Sequence, residues 1–456
     1  MRFLTSFGSV FVCGILGVTG CSSSQTQFAP SASSYQAKTV RGESVTENLL
    51  YSFGLSPDIN APTDSLIADA KGNLYGTAGQ GGDGGSECTA PGGCGGVFRF
   101  TRSGSGFTES TIYEFAGGKN GGGPYAGLYM DSTGSLYGTA TYDGADIGEF
   151  CCGTVFKLTP QGSGYTETTL YTFQGGSDGA GPTAALIADP SGALYGTTQG
   201  GGDASGDGTV YKLTPSGGGY SESILYRFKG CTSSGKTCDG ANPNAALYRD
   251  SSGALYGTAQ YGGKYECTEG NRCGTVYKLT PEGSGYQEAT IYNFKGGTTD
   301  GANPQTSLIA DSTGALYGAT GLGGSGNEPA CNDGSVVRGC GTVFKLAPTK
   351  RGHYKESVLY SFQGNGDAAQ PQAGVIPGPT GSFYGTTALG GTANGGTVFQ
   401  LVRHKGKYSD RVLYSFLGYP DGNLPRATVV EVRGTLYGTT FQGGYWGVGI
   451  VFGVTP

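Results

Sequence analysis

A Tyr-Gly pair recurs seven times along the chain, and a strand-like segment of the Gly-Thr-Val-Phe-Lys-Leu type follows each copy. The tyrosines are separated by 62, 58, 61, 61, 67 and 53 residues and are Tyr75, Tyr137, Tyr195, Tyr256, Tyr317, Tyr384 and Tyr437. A period of about 60 residues that holds several short strands is typical of a β-propeller, because the common helical solenoids have shorter periods. The repeat therefore predicts an all-β fold.

Each repeat contains four short segments rich in β-branched and aromatic residues and bounded by Gly, Pro, Asp or Ser. In the third repeat these segments are 182–189, 193–198, 208–214 and 220–228. The chain has 90 glycines, a content that would indicate low complexity in an aperiodic sequence. Here the glycines stand at fixed turn positions of the repeat, so they indicate tight turns between strands.

The two ends of the repeat region predict how the ring closes. The region begins with a lone fourth strand, Val45–Phe53, and ends on a lone third strand, Gly449–Val454. Pairing these strands completes the split seventh repeat and leaves no unpaired sheet edge. We therefore predict one domain, residues 45–456: a seven-bladed β-propeller of four-stranded blades, closed by pairing of the N-terminal strand with the C-terminal three strands.

The N-terminus predicts export. Arg2 precedes an apolar segment that ends near Leu16 and is too short to span a bilayer. Val18–Cys21 resembles a bacterial lipobox, so we predict a lipoprotein signal peptide over residues 1–20, lipidation of Cys21 and a flexible tether over 21–44. The alternative is an ordinary secretory leader with an incidental cysteine. The expected location is the bacterial cell envelope, outside the cytoplasm, with the membrane contacted only through the lipid.

Charge gives no support to nucleic-acid binding. The formal net charge is −6, whereas nucleic-acid-binding domains carry basic patches. One charge pattern does repeat. The fourth strand carries an acid in every copy (Glu47, Glu109, Glu167, Glu222, Glu288, Glu356 and Asp410), and the third strand carries a cation at one position in five copies (Arg99, Lys157, Lys212, Lys278 and Lys345), with Gln400 and Gly453 as exceptions. A hairpin centred on Gly162 would place Lys157 directly opposite Glu167. We interpret these pairs as cross-strand ion pairs worth about 0.2–1 kcal/mol each, and not as acid–base machinery.

The cysteines concentrate on one predicted face of the ring, which carries the second-to-third-strand loops and the connections between blades. An even number of cysteines in an exported protein favours disulfides, and local pairs across the loops are the simplest connectivity. Cys151 and Cys152 could form a strained vicinal ring, or could be free or separately paired. Zinc is disfavoured because the cysteines have no clustered histidines beside them. The ten disulfide candidates are Cys88, Cys94, Cys151, Cys152, Cys231, Cys238, Cys267, Cys273, Cys331 and Cys340.

The same face repeats a polar residue four positions before a proline that leads into each first strand. One interpretation is a turn that orders the connection between blades. The other is a ring of ligands at the mouth of the central channel, which could hold Ca²⁺ or contact sugar hydroxyls. We expect no other metal and no cofactor. The residues are Asp58, Asn120, Asp178, Asp239, Asp300, Asp367 and Asp421.

Catalytic machinery is sparse in the sequence. The only two histidines, His353 and His404, fall in third-to-fourth-strand turns on the opposite face, so histidine-dependent catalysis is hard to build on the loop-rich face. Carboxylates paired across the ring, as in glycoside hydrolysis, are the remaining option.

The repeat unit resembles the Gloeo/Verruco tandem repeat of exported bacterial proteins with varied anchoring signals. The Gly-Thr-Val-Phe-Lys-Leu-Thr-Pro string that carries the resemblance is complete at Gly153–Pro160 and nearly so at Gly274–Pro281. The resemblance implies an exported, anchored repeat protein, and it brings no established activity or catalytic residue. We predict a non-catalytic binding or scaffold protein for a glycan or an envelope protein. The alternative is a carboxylate-dependent glycan hydrolase or lyase.

Overall fold

The computed structural model describes residues 46–456 except 84–87, 89–91, 105, 143–151, 231–238, 269–270, 327–330, 332–338, 351 and 365. The signal peptide, Cys21 and the tether lie outside the described residues. The described chain is all-β and forms seven four-stranded antiparallel sheets arranged as a seven-bladed propeller, as the repeat predicts. Its described residues contain no helix that is both long enough and apolar enough to cross a bilayer.

Each blade runs from a short innermost strand to a long outermost one, in chain order. Blade 1 consists of Ile67–Ala68, Leu74–Gly81, Gly96–Ser103 and Gly106–Glu114. Blade 2 consists of Tyr129–Met130, Leu136–Ala140, Thr154–Gln161 and Gly164–Thr172. Blade 3 consists of Ile187–Ala188, Leu194–Thr198, Thr209–Ser216 and Gly219–Arg227. Blade 4 consists of Tyr248–Arg249, Leu255–Ala259, Thr275–Glu282 and Gly285–Asn293. Blade 5 consists of Ile309–Ala310, Leu316–Thr320, Thr342–Pro348 and Tyr354–Ser361. Blade 6 consists of Ile376–Pro377, Phe383–Thr387, Thr397–His404 and Lys407–Ser415.

Blade 7 is built from both ends of the repeat region. Its first three strands are Val430–Val432, Thr435–Thr440 and Ile450–Thr455, and its fourth is Thr46–Ser52. The last two pair antiparallel, with Thr46 opposite Thr455 and Ser52 opposite Ile450. The predicted closure of the ring is therefore confirmed.

Short two-stranded ladders extend the blade connections. One pair joins Ile59–Pro62 to the second strand of blade 1. Three further ladders each pair a connection between two blades with the loop after the second strand of the following blade. A fourth ladder lies within the second-to-third-strand loop of blade 4. These are Gly301–Ala302 with Leu322–Gly323, Ala368–Ala369 with Leu389–Gly390, Gly422–Asn423 with Gln442–Gly443, and Glu266–Thr268 with Asn271–Arg272. Short 3-10 turns occur at Gly118–Asn120, Gly176–Asp178 and Pro379–Gly381.

The core lies between neighbouring blades and is filled by aromatic rings. A phenylalanine just after each fourth strand packs against the third-strand aromatic of the next blade, edge-on at six interfaces and tilted between Phe53 and Phe98. For example, the ring centroids of Phe173 and Tyr211 are 5.1 Å apart. The glycine of the Tyr-Gly pair leaves room for that aromatic. A Cβ on Gly257 would lie 2.3 Å from the hydroxyl oxygen of the buried Tyr277. The motif is therefore a packing requirement of every blade.

The hairpins between third and fourth strands have a register that differs from the predicted one. Gln161 pairs with Gly164, so the turn is a two-residue loop and Lys157 lies opposite Thr168 instead of Glu167. In blade 3, Lys212 likewise lies opposite Ser223. A shift of one residue places the two charges on opposite faces of the sheet, so the predicted cross-strand ion pairs are wrong.

The lysines instead lie over the second-strand tyrosines of their own blades. Lys157 is directly opposite Tyr137, and its Nζ lies 5.2 Å from the ring centroid. The same cation–π contact recurs in three further blades, at 5.0–5.3 Å, between Lys212 and Tyr195, Lys278 and Tyr256, and Lys345 and Tyr317. The repeated lysine thus covers a tyrosine that would otherwise be more exposed.

Candidate functional site

Two faces of the ring differ in their connections. The turn face carries the first-to-second and third-to-fourth-strand turns, and the loop face carries the second-to-third-strand loops and the connections between blades. On the turn face, Asp131 accepts hydrogen bonds from the backbone N–H groups of Thr133 and Ser135, at 2.8 and 3.0 Å, and from the hydroxyl of Tyr137. Asp189, Asp250 and Asp311 repeat this arrangement, so these carboxylates hold their own turns.

Disulfides close three of the loops on the loop face. They are local pairs, as the spacing predicts: Cys88–Cys94, Cys267–Cys273 and Cys331–Cys340, with Cα–Cα distances of 5.8, 5.0 and 4.9 Å. Cys152 is buried and disulfide-bonded. Cys151, Cys231 and Cys238 lie outside the described residues. The three bonds indicate folding in an oxidising, extracytoplasmic compartment.

The seven predicted polar residues of the blade connections lie against the outermost strands. In six blades the aspartate accepts a hydrogen bond from a fourth-strand tyrosine; the hydroxyl of Tyr171, for instance, lies 3.0 Å from Asp178. The same carboxylate accepts the backbone N–H of Gln174 at 2.8 Å, which is the predicted turn interaction. The other pairs are Tyr51–Asp58, Tyr226–Asp239, Tyr292–Asp300, Tyr360–Asp367 and Tyr414–Asp421. These side chains therefore do not ring the mouth of the channel.

The acids of the fourth strands meet these connection residues across the blade interfaces. Where the connection carries Asn120, its amide donates to Glu167 at 3.3 Å. Where it carries an aspartate, two carboxyl groups face each other. Burial first, and the neighbouring aspartate in addition, raises the pKa of Glu109, Glu222, Glu288 and Glu356 to about 7. Burial and a hydrogen bond with Asp367 raise the pKa of Asp410 still further.

A pKa near 7 is a property of catalytic acids, yet these groups recur in blade after blade. One carboxyl oxygen of Glu109, of Glu222 and of Glu356 is buried without a hydrogen-bond partner. Such a carboxyl group is more stable protonated, and its position between blades gives it a structural role in the interface.

The centre of the ring holds a cavity of about 450 Å³ lined by residues from all seven blades. Its lining mixes alanines and small polar residues with aliphatic side chains such as Leu66 and Ile376. The charged residues in the lining are Asp64 and Arg426. The seven connection residues predicted above are all described, and none of them lines it.

Sequence reasoning missed both charged residues, although alignment of the repeats contained the signal. Asp64 stands where the other blades have Ala or Thr, and Arg426 stands where they have uncharged residues. Asp64 is half-buried, and desolvation of its carboxyl group raises its pKa. It accepts the backbone N–H of Gly127 in blade 2 at 2.7 Å. The Arg426 guanidinium carbon lies 4.5 Å from the ring centroid of Phe441. Asp64 therefore bridges blades 1 and 2, and Arg426 is held near the inner rim of blade 7.

Exposed apolar side chains distinguish the two faces most clearly. Six large hydrophobic residues of the described chain are exposed, and every one of them lies in a connection of the loop face. They are Leu55 (55%), Tyr265 (40%), Leu417 (62%), Tyr419 (74%), Tyr445 (41%) and Trp446 (61%).

Five of these six side chains belong to segments that meet over blade 7. The backbone N–H of Tyr445 donates to Ser52 Oγ at 2.9 Å, three residues before Leu55. The N–H of the preceding Gly444 donates to the carbonyl of Asp421 at 2.7 Å, which joins this loop to the segment of Leu417 and Tyr419. We call Leu55, Leu417, Tyr419, Tyr445 and Trp446 the aromatic patch.

No group of three or more histidine, cysteine or acidic side chains is placed to hold a metal ion within the described part of the chain. The patch itself is apolar with neighbouring amides, since Gln442 is exposed and Asn423 donates to its side chain at 3.5 Å. It suits a ligand with apolar surface and hydroxyl or amide groups.

The sequence profile of the Gloeobacter/Verrucomicrobia repeat matches the chain three times, over residues 35–189, 145–331 and 329–456. The chain belongs to this repeat family. The resemblance inferred from the repeat unit is thus confirmed over the whole propeller. No curated protein matches the sequence.

The solved structures that match this Gloeobacter/Verrucomicrobia repeat protein have low sequence identity to it. Two are putative 6-phosphogluconolactonases, from Bacteroides uniformis and Bacteroides fragilis, with 12% and 13% identity and TM-scores of 0.47 and 0.46; each match covers 83% of this chain and 93% of the other. A putative oxidoreductase (glucose dehydrogenase) from Thermus thermophilus matches with 16% identity and a TM-score of 0.38, over 80% of this chain and 98% of its own.

Within this Gloeobacter/Verrucomicrobia repeat protein, the aromatic patch is a departure from the repeat. Tyr445 and Trp446 stand where the corresponding loop of blade 6 has Thr392 and Ala393. Trp446 is the only tryptophan of the chain. Blade 7 therefore carries a surface that the repeat pattern itself does not require.

Proposed function

We propose that the propeller binds a glycan on its loop face, at the aromatic patch over blade 7. The observation that carries the proposal is that every large hydrophobic side chain exposed in the described chain lies on this one face, five of the six around blade 7. Exposed apolar clusters of this kind mark binding surfaces.

The chemistry of the patch favours a sugar as the ligand. The flat faces of Tyr419, Tyr445 and Trp446 can stack against the C–H face of a pyranose ring, to which the electron-rich face of an aromatic ring is attracted. The exposed amide of Gln442 offers both a donor and an acceptor for hydroxyl groups. The proposal needs no metal, cofactor or catalytic residue.

The test is binding of the full chain to a panel of neutral polysaccharides and soluble peptidoglycan fragments, with release of products followed in the same samples. Trp446→Ala and Tyr419→Ala should each weaken binding at least about tenfold, as loss of a stacked aromatic anchor does. Tyr265→Ala is the matched control, because Tyr265 is an exposed tyrosine of the same face in blade 4. It should leave binding unchanged.

Three outcomes would replace the proposal. Product release would favour the glycan hydrolase or lyase. Binding that Tyr265→Ala weakens as strongly as Trp446→Ala would move the site away from blade 7. Absence of binding to every member of the panel would favour a scaffold role or a protein partner.

We further propose that Cys21 carries the lipid anchor of an exported protein. The disulfides support the extracytoplasmic part of this proposal. Incorporation of a fatty-acid analogue into the wild-type chain, and its loss in Cys21→Ser, would test the anchor.

A further inference from the structure

A second surface cavity, of about 550 Å³, opens on the turn face at the seam where blade 7 meets blade 1. Four of the residues that line it are cations, and none is an acid: Lys71, Arg99, Arg102 and Arg433. This concentration of positive charge contrasts with a chain whose net charge is −6.

Three of the four cations, Lys71, Arg102 and Arg433, differ from the residue that most repeats carry. Arg99 stands at the third-strand position where blades 2 to 5 carry lysine. Lys71 and Arg433 occupy the same turn position in blades 1 and 7, where the other five blades carry Thr133, Ser191, Ser252, Thr313 and Thr380. Arg102 stands where blade 6 carries Arg403 and blades 2 to 5 carry Pro160, Pro215, Pro281 and Pro348. Most blades therefore fold without a cation at the positions of Lys71, Arg102 and Arg433.

The side chains from the two blades converge on one place. The Nη2 of Arg433 donates to the carbonyl of Lys71 at 3.3 Å. A Cβ built on Gly72 would lie 3.6 Å from Cδ of Arg102 and 4.0 Å from the guanidinium carbon of Arg433. Arg102 also lies over the ring of Phe107, with its guanidinium carbon 5.4 Å from the ring centroid. The stacking limits the freedom of this guanidinium.

Two of the guanidinium nitrogens have no protein acceptor. The Nε of Arg99 and Nη1 of Arg102 are buried and make no hydrogen bond within the structure. The ion pairs found between described residues, Arg272–Glu266 and Lys345–Asp311, involve none of the four cations. A buried donor without an acceptor is costly, so these nitrogens point to an external oxyanion.

We propose that this cavity binds a phosphoryl group through Lys71, Arg99, Arg102 and Arg433. Guanidinium groups match the oxygens of a phosphate in geometry and charge. The phosphoryl group can belong to a lipid headgroup or to a free phosphate. The headgroup source has structural support, because the chain enters the domain beside the cavity: Thr46 pairs with Thr455, whose hydroxyl lies 3.0 Å from that of Thr435, two residues after Arg433.

A variant with three changes tests the site in the full chain: Lys71→Ser, Arg102→Gln and Arg433→Ser. Serine is native at the turn position of blades 3 and 4, so the two serine changes preserve the turn. The matched control removes three exposed cations from the turn face of blade 6: Arg403→Gln, Lys405→Ser and Lys407→Ser. Both variants carry the wild-type N-terminus, so any contribution of the leader or lipid is the same in each.

Binding is measured with two probes: inorganic phosphate, and vesicles of phosphatidylglycerol compared with phosphatidylcholine. The site variant should bind at least one probe about tenfold more weakly or worse, as loss of a charge-assisted hydrogen bond predicts, while the control should bind both as wild type does. Loss with the anionic vesicles alone identifies a lipid headgroup, and loss with phosphate alone identifies a free phosphate. Equal losses in both variants, or no loss with either probe, would overturn the proposal. Urea unfolding of both variants must remain wild-type-like, and Arg99→Gln provides a second, single-charge variant if the triple variant fails to fold.

Discussion

The loop face and the turn face are made by the same seven repeats, yet they differ in what their side chains do. On the turn face, an aspartate such as Asp131 satisfies its own turn and its own tyrosine. On the loop face, an aspartate such as Asp178 also satisfies a turn, but it meets a second acid, Glu222, from the adjacent blade. The loops above these pairs carry the disulfides and all the large exposed hydrophobics of the described chain. A repeat can therefore be regular in its scaffold and still concentrate variation on one face.

The largest expected effect concerns the strands, which both faces share. It tests whether close packing at the Tyr-Gly pair excludes a side chain larger than glycine. Gly257→Ala should lower the free energy of unfolding by about 3 kcal/mol, because its Cβ would lie 2.3 Å from the hydroxyl oxygen of Tyr277. Gly285→Ala in the same blade is the control, since its Cβ would lie no closer than 4.0 Å to another atom. Urea unfolding of both variants measures the difference. Equal losses of stability in the two variants would show that the close contact with Tyr277 does not determine the effect at Gly257.

The next largest effect concerns the disulfides of the loop face. Replacing Cys331 and Cys340 together with alanine should cost about 2 kcal/mol of stability, because the bond closes a loop of the unfolded chain. Reductant should destabilise the wild type more than this variant, as measured by thermal unfolding with and without dithiothreitol. A wild type insensitive to reductant would mean that the loops contribute little to the stability of the ring.

The carboxyl pairs predict that stability falls as pH rises from about 5 to 8. An acid whose pKa is higher in the folded than in the unfolded state stabilises the fold while it is protonated. For Glu356, whose pKa burial and Asp300 raise from 4.5 to about 7, this contribution is present below pH 4.5 and is lost as pH rises through 7. The turn carboxylates act oppositely, because hydrogen bonds lower the pKa of Asp131 and Asp189, whose contribution is lost in acid.

Glu356→Gln tests this pH dependence. The variant should lose part of the slope between pH 5 and 8, roughly 1 kcal/mol after allowance for solvent screening, because glutamine stays neutral throughout. The exposed turn residue Glu282 gives the control, Glu282→Gln, which should keep the wild-type slope. Denaturant unfolding at a series of pH values provides the measurement. Unchanged slopes in both variants would assign the pH dependence to other groups.

The smallest effect distinguishes the observed partner of the repeated lysine from the predicted one. A double-mutant cycle with Lys157→Met and Tyr137→Leu should give a coupling of about 0.5 kcal/mol from the cation–π contact. The cycle with Lys157→Met and Glu167→Gln should give a coupling near zero, because the register places these charges on opposite faces of the hairpin. A larger coupling to Glu167 would restore the ion-pair interpretation.

Local features of the sequence were enough for the architecture. The period, the Tyr-Gly pair and the split seventh repeat together determined the blade number and the closure, because strand alternation and turn chemistry act over a few residues. Local cysteine spacing was likewise enough for the bonds of Cys88, Cys267 and Cys331. The hairpin register was not, since moving the turn by one residue at Gly162 exchanges the two faces of a strand.

The candidate site depended on contacts that the sequence does not encode locally. Asp178 and Glu222 lie far apart along the chain and meet only because two blades pack together. Among the 30 tyrosines of the chain, nothing local in the sequence marks Tyr419 and Tyr445 as exposed. The sequence by itself determined the ring, because its strands and turns form from neighbouring residues. Only the tertiary structure decided which side chains face solvent, which face another acid and which face the seam, because burial and proximity arise when the seven blades close.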